Sequence, residues 1–521
     1  MPANTQHAKY GSFLPLWKKA RDTVQGEEAV KAAGSTYLPH LSEQDSTEYE
    51  AYKKRALFFS ATGRTVDGLS GAIRRKPTKI EFPNEDDLKH IGRAKESREQ
   101  MEGVTIREVL SVGRLGLLVD APAEDGAPPY VSIYYAEDII NWREDLIAGR
   151  KVPTMVVLLE RLEQADPKDP YKVEEVVQYR CLHLGTKPAY SDKTRAMDFA
   201  PGYSESDVKQ PFYYQEVWRE DKQSTKPDKL TFIERIVPKM TGGRLWREIP
   251  FVFVNSTDTD PCPSEPPLLD LVNVNLSHYR TSADLEHGRH WTALPTPWFA
   301  GFKFAGPVKI GSGICHTTDD PSAHAGMLEF TGAGLGHLKE AIAEKERQMA
   351  ALGSRLLEPQ KAAQEAAEAI RLRTAGEQSA LALISKTLSN AWTQVLHWLW
   401  TWTQTSDAGA DKIVCTLNTD FGISGLDSAQ MTSMMAAVQG GLMSFDTWFF
   451  NLQRAEVIPD DVTVEDERER IAAGLPSGMG LLLGGPGSQD PNAPPPDAED
   501  PAEESDPTEE QDGPPAKGAA K

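Results

Sequence analysis

Three alternating glycines, Gly332, Gly334 and Gly336, stand between a short apolar strand and a helix, the place a dinucleotide-binding loop would occupy. That chemistry requires a βαβ unit, with a second apolar strand and an acidic residue about 20 positions on to hold a ribose. The stretch that follows is helical and offers no second strand, and the third glycine comes one residue too early for GxGxxG. A helix-entry loop without a ligand is the better reading. His278, His287 and His290, with Glu286 nearby, lie on one helix, and the pair at 287 and 290 could share a face as two zinc ligands do. Neither an HExxH motif nor a nearby cysteine closes such a site, so helix-surface histidines are favoured. Asp460 and Asp461 are adjacent carboxylates in a polar lead-in to an acidic helix, where Thr463 and Asp466 have capping-box spacing; a solvated helix start explains them better than an acid/base pair. Trp392, Trp398, Trp400 and Trp402 cluster at one end of a long helix, which points to core packing or a subunit interface before a cofactor. The chain has no G-x-x-x-x-G-K-[ST] loop and no G-x-S-x-G elbow. No residue set here carries catalysis, a metal or a cofactor.

The elements around these residues are more informative. From 326 to 402 a strand and the glycines lead into a helix with Leu338, Ile342, Met349 and Leu352 at helical spacing. Gly353 and Pro359 interrupt it, one by freeing the backbone and the other by excluding a helical hydrogen bond. An Ala/Glu-rich helix then resumes near Gln364 and runs to about Trp402, a rod of roughly 55 Å if unbroken. Such a rod suits an elongated subunit packed beside copies of itself.

Composition narrows the class. The chain has 521 residues and a formal net charge of −21, with 39% hydrophobic residues, enough for two to four folded domains. Residues 486–521 carry ten carboxylates and two lysines and almost no large apolar side chain, so they are expected to be disordered. The remaining body is acidic too, which argues against tight, sequence-reading nucleic-acid binding but suits a passage through which DNA must slide. Cys181, Cys262, Cys315 and Cys415 form no CxxC pair, which fits a reducing compartment. The first 22 residues lack a signal-peptide core, and no apolar run reaches the 18 residues of a membrane span; a soluble protein made in the cytoplasm is expected.

Along the chain, residues up to about Ile80 read as helical, with Ser42 and Asp45 able to start a helix whose apolar face uses Tyr49, Tyr52, Leu57 and Phe58. Lys53, Lys54, Arg55, Arg74, Arg75 and Lys76 are the one basic concentration: a solvated helix face or, less simply, a patch for a subunit interface or acidic partner. A helix over 106–112 is followed by strands at GRLGLLVDAP, VSIYYAEDIINWRED, VPTMVVLLERLEQ, VEEVVQYRCLHL, FYYQEVWRED and LTFIERIVPK. With no long helices between them, they predict an antiparallel meander and an α+β, helix-rich fold. Pro266 and Pro267 open a helix over 267–294, and Pro295 and Pro297 close it. Residues 298–330 are a glycine-rich β excursion. Beyond Trp402 come a strand, IVCTLNTDF, and three helices.

This order resembles the portal (head-to-tail connector) proteins of tailed double-stranded DNA bacteriophages. ALFFSATGRTVDGLSGAIRRKP and YYAEDIINWR are similar to two signatures of one portal subgroup. EKERQMAALGSRLL with EAAEAIRLRTAGEQSALALISKTLSNAW resembles the helices around the portal tunnel loop, and DFGISGLDSAQMTSMMAAVQGGLMSFDTWFFNLQRAEVIPDD the C-terminal portion. The resemblance covers about 49–471 and departs from the family in its short β insert. It implies a wing at 1–264, a stem helix at 265–297, a clip-like insert at 298–332, and a returning stem helix, tunnel loop and long helix at 333–405. A C-terminal wing/crown region at 406–485 and the acidic tail complete it. It further implies a ring, twelve subunits in the family, at one capsid vertex of the virion. Arg355, Glu358, Gln360 and Lys361 would face DNA in the tunnel loop, and Lys303, Lys309, Asp319 and Asp320 would lie in the partner-docking clip. The implied partners are the terminase large subunit, major capsid and scaffolding proteins, a head-completion adaptor, and double-stranded DNA without sequence specificity; no membrane and no cofactor are implied. The rival readings are another virion or scaffold assembly protein and, further off, a nucleotide-binding enzyme.

Overall fold

A computed structural model describes residues 3–121, 128–147, 149–166, 169–185, 210–220, 230–293, 296–304, 306–311, 314–328, 332–353, 367–404, 409–419, 421, 428–455, 457–459 and 462–474. Arg355, Glu358, Gln360 and Lys361, the Asp460–Asp461 pair and residues 486–521 lie outside them. The chain divides into two compact units, Met1–Gly422 and Ile423–Lys521.

The first unit opens with helices α1 (Ala8–Gln25), α2 (Glu27–Ala32), α3 (Ser46–Arg55) and α4 (Ala61–Ile73), then a short strand β1 (Lys79–Glu81) and helix α5 (Arg98–Val112). Helix α3 is capped by Asp45, whose carboxylate accepts from the Glu48 amide at 2.8 Å. It ends earlier than its apolar residues predict. Ala56 turns extended, so the following side chains alternate: Phe58 is buried while Leu57 is 59% exposed. Leu57 is therefore not on the face formed by Tyr49 and Tyr52. Helix α5 begins eight residues before the expected Ile106, because Ser97 and Gln100 form a reciprocal capping box ahead of it. The basic run also proves to be two groups. Lys53–Arg55 end α3 and Arg74–Lys76 follow α4, so the 13-residue α4, roughly 20 Å long, separates them.

Two antiparallel sheets follow. Strands β2 (Arg114–Asp120), β3 (Tyr130–Tyr135) and β9 (Phe251–Asn255) form one in the order β3-β2-β9, with every β2 residue buried. Strands β4 (Ile139–Ile147), β5 (Arg150–Asp166), β6 (Asp169–Gly185), β7 (Phe212–Glu220) and β8 (Leu230–Ile236) form the other as a consecutive meander. The sequence predicts one meander for all six runs, but β2 and β3 leave it to pair with β9, because the short helical turn at Ala136–Asp138 splits VSIYYAEDIINWRED into two strands of different sheets. A buried polar network joins the sheets. Arg180 on β6 donates to Glu160 on β5 at 2.7 Å and to Gln215 on β7 at 2.7 Å, and lies 3.3 Å from Asp120 on β2. Tyr134 on β3 donates to Glu160 at 2.6 Å, and Gln215 donates to Asp120 at 2.9 Å. Burial alone would raise Glu160, but the Arg180 guanidinium and the Tyr134 and Gln178 hydrogen bonds outweigh it and hold that carboxyl below its ordinary range. Asp120 is raised, by burial first, against the opposing pull of Arg180 and Gln215.

The rest of the unit is α6 (Leu269–Ala293), the hairpin β10 (Thr296–Ala300) and β11 (His324–Leu328), α7 (Ala333–Ala351), α8 (Ala367–Thr403) and β12 (Val414–Thr416) paired with β1. Helix α8 supplies the centre of the main core. Leu381, Ile384, Leu388, Ala391, Trp392, Val395, Leu399 and Trp402 are buried at three- and four-residue intervals. Its tryptophans are packing residues: Trp392 Nε1 donates to Thr105 Oγ1 at 3.2 Å, Trp398 Nε1 to Glu248 at 2.7 Å, and Trp402 lies 5.0 Å from Trp246. The core alternative is the one realised within the chain.

The second unit holds α9 (Ser428–Gln439), α10 (Phe445–Arg454) and α11 (Val464–Gly474). Ser444 caps α10, and Thr463 and Asp466 form the expected capping box before α11. Arg468 on α11 pairs with Asp446 and lies over the Phe445 ring, fastening α11 to α10.

Candidate functional site: a helical arm and its tip

Helices α6 and α7 run antiparallel as an arm that carries the β10–β11 hairpin at its end. Contacts fix the direction: Lys345 donates to Ser277 O at 3.2 Å and to Thr281, His278 lies 3.5 Å from Glu346, and Gly288 meets Leu335 nearer the hairpin. A Cβ on Gly288 would come within 2.6 Å of Leu335 Cδ2, so the leucine tip packs into the space this glycine leaves. The root is well secured. Asn275 on α6 accepts from the Thr62 amide and hydroxyl at 3.1 and 2.8 Å and donates to Phe59 O at 2.8 Å, so its buried amide is satisfied on both sides. Tyr52 donates to Asp284 at 2.6 Å, and burial together with that bond pushes its phenol well up. Leu271, Met349 and Ala61 close a small core at the base. No α6 residue beyond Leu285 is buried among the described residues, so the outer half of the arm has little cover from its own chain.

The tip is apolar. Phe299, Phe302, Phe304 and His316 form a nest with ring centroids 5.3 to 5.9 Å apart. Around it Trp298, Ile310 (61% exposed), Ile314 and Met327 (57% exposed) face outward. The tip thus exposes several large apolar side chains on an element that projects from the arm. The predicted clip residues Lys303, Lys309, Asp319 and Asp320 are all exposed in the same excursion. Asp320 also braces its own turn. It accepts from the Ser322 hydroxyl and amide at 2.6 and 2.9 Å, and these bonds lower its pKa. The charged residues are legible from sequence, whereas the aromatic nest is signalled only by the density of rings in WFAGFKF.

Other candidates dissolve into structure. Gly332 adopts a left-handed φ of 63° as the cap of α7, and β11 pairs antiparallel with β10, so the parallel βαβ unit of a dinucleotide site is not formed there. His278 is not the surface histidine the sequence suggests: it is buried against Phe59 and α7, and desolvation lowers its pKa. His287 accepts from Trp291 Nε1 at 3.0 Å, with the Arg55 guanidinium 3.2 Å from its other nitrogen. Among the described residues, no group of three His, Cys, Asp or Glu could hold a metal ion, and no helix is long and apolar enough to cross a membrane.

Residues 267–403, which span the whole arm and α8, match the family model "Domain of unknown function (DUF4055)". No curated protein matches the chain. Among solved structures, one chain from the neck of an empty GTA particle computed with C6 symmetry is 14% identical, with a TM-score of 0.35, covering 87% of this chain and 99% of its own. A chain from the virion of a native gene transfer agent particle is 12% identical, with a TM-score of 0.36 and coverages of 86% and 99%. One from the neck of a native GTA particle computed with C12 symmetry is 13% identical, with a TM-score of 0.33 and coverages of 75% and 89%.

Proposed function

We propose that this chain is the subunit of a portal ring: a structural protein that assembles at one capsid vertex and forms the channel for DNA entry and exit. The observation that carries the reading is the arm. Two antiparallel helices, rooted by Asn275 and Tyr52, hold an apolar β tip away from the core, and the 37-residue α8 follows them in the chain. This order of elements supports the succession of stem, clip, returning stem and long helix that the resemblance implies. In this reading 1–264 is the wing, 265–297 the stem, 298–332 the clip, 333–405 the returning stem with the tunnel loop, and 406–485 the C-terminal wing/crown. The tip docks terminase during packaging and the adaptor afterwards; capsid and scaffolding proteins contact the wing. Imaging of purified protein tests the reading: rings with a central hole are expected, and uniformly monomeric particles would contradict it.

Two consequences concern residues 355–361 and 486–521. Arg355, Glu358, Gln360 and Lys361 carry mixed, modest charge, which suits sliding contact. Each added phosphate contact displaces counterions and increases the affinity that translocation must overcome. Replacing Glu358 and Gln360 with lysine is expected to slow or stall packaging while rings assemble normally; a packaging time course checks this, and wild-type rates would remove these residues from the DNA path. Residues 486–521 offer little apolar surface to bury, so a chain ending at Gly485 is expected to oligomerise like the full chain, as sedimentation would report.

A further inference from the structure

Strand β3 forms one edge of its sheet, and part of that edge is open. On β2, Val119 donates to Pro250 O beside β9 at 2.9 Å, so the alternate β2 residues Gly116, Leu118 and Asp120 bond to β3. Their partners are Tyr134, Ser132 and Tyr130. The residues between, Val131, Ile133 and Tyr135, therefore turn their backbone groups outward. Val131 is covered: its amide donates to Ile91 O at 2.7 Å, and Gly92 bridges it in the parallel sense before a turn back to Glu96 carries the chain away. The Ile133 amide and carbonyl and the Tyr135 amide have no hydrogen bond among the described residues. Unpaired groups of this kind are a template for another strand.

A cleft of about 590 Å³ lies along this edge. Met101 and Val104 on α5 form one wall, and Leu159 and Leu162 on β5 the other; no β2 residue reaches it. Residues 88–104, 128–147 and 149–166, which border the cleft, are all among the described residues. Val104 and Tyr135 are each 41% exposed, so the apolar lining is reachable from solvent. The charges in the cleft are unevenly matched. Glu96 accepts from the Ala94 amide at 2.8 Å, and Asp138 accepts from Arg161 at 2.9 Å. Arg93 is exposed at the Val131 end and makes no ion pair among the described residues. A slot walled on both sides has room for one extended peptide but not for the edge of a folded sheet, whose own neighbouring strands would meet the walls.

We infer that this cleft binds an extended segment of a partner protein by strand addition to β3, a segment with alternate apolar residues and a carboxylate that meets Arg93. The two open positions lie about 7 Å apart, so the contact takes roughly four residues. The inference does not depend on the ring reading. A random heptapeptide library on beads, screened against the purified full-length protein, supplies the probe. Enriched peptides are expected to alternate apolar residues and to carry Asp or Glu toward one end. Hydrogen exchange should slow across 131–135 when such a peptide binds. Ile133→Pro removes the outward amide and leaves the bonds of Ser132 and Tyr134 to β2, so it should weaken the peptide at least about tenfold. Ile133→Ala keeps the amide and should weaken it less. Screening Arg93→Glu, a change at an exposed residue, should enrich Lys or Arg in place of Asp or Glu. Thermal melting of each variant confirms that the fold is retained. No enrichment by the native protein, equal binding to Ile133→Pro, or the same acidic peptides selected by Arg93→Glu would each overturn the inference. A chain ending at Gly485 that binds the peptide at least about tenfold tighter than the full chain would make the protein's own tail the occupant, and would overturn the partner.

Discussion

Removing residues 306–321 from the tip and joining the ends with a short glycine linker is expected to abolish DNA packaging while leaving the ring intact. The deletion takes away Val308, Ile310 and Ile314, the exposed apolar surface, together with Lys309, Asp319 and Asp320 and the His316 side of the aromatic nest. It spares β10 and β11, whose five-rung pairing from Thr296↔Leu328 to Ala300↔His324 closes the arm below. It also spares the root, where Asn275, Tyr52 and Leu271 hold α6 to the body. The described contacts that root the arm are all kept, so thermal stability should stay near that of the full chain. On the portal reading, what is lost is the apolar centre of the docking contact, where most binding energy in an interface concentrates. A binding measurement with terminase and an in vitro packaging assay report the effect; normal packaging by the shortened chain would move the docking site elsewhere.

The largest expected loss of stability comes from Arg180→Met. In the native chain this guanidinium serves Glu160, Gln215 and Asp120 between two sheets. Its removal leaves two buried carboxylates without their cation, a change that costs about 3–5 kcal/mol. The pH dependence gives a sharper test than the size. Glu160 lies below its ordinary range in the native chain, so its stabilising contribution is present at neutral pH and is lost as pH falls through that depressed value. Without Arg180, burial raises both carboxyls, and folding then favours their protonated forms. The deficit relative to the native chain should therefore be greatest near neutral pH and shrink as pH falls toward about 4–5. Parallel thermal melts across that range would show it. A deficit that stays constant or grows toward acid would mean that the network holds the sheets by geometry alone.

The arm was legible because its boundaries are chemical. Pro266 and Pro267 permit a helix to start, α6 stops at Ala293 shortly before the next prolines in the sequence, and a β excursion between two helices must lie where they turn back. The meander was legible for a similar reason, since consecutive apolar runs had no long helix between them. The Arg180 network was not. Its members span Asp120 to Gln215, and each alone reads as a polar position on a strand; only the stacking of two sheets brings them together. Leu57 and the basic run mislead for one reason. Neighbours in sequence share a surface only while the local conformation stays regular, and both stretches cross a helix boundary. The apolar tip shows the opposite case: its composition was visible, but exposure is a property of tertiary structure.

A chain that works as a closed ring of copies has one definite assembly mass. Twelve copies of a 57.4 kDa chain would weigh about 690 kDa, and a neighbouring ring size would differ by the mass of one subunit. Native mass spectrometry of the purified full-length protein resolves that step directly. One dominant, closed species at or near the twelve-copy mass is expected, with a subunit number that does not drift with concentration. A monomer at all concentrations, or an open ladder of masses that lengthens as protein is added, would contradict it.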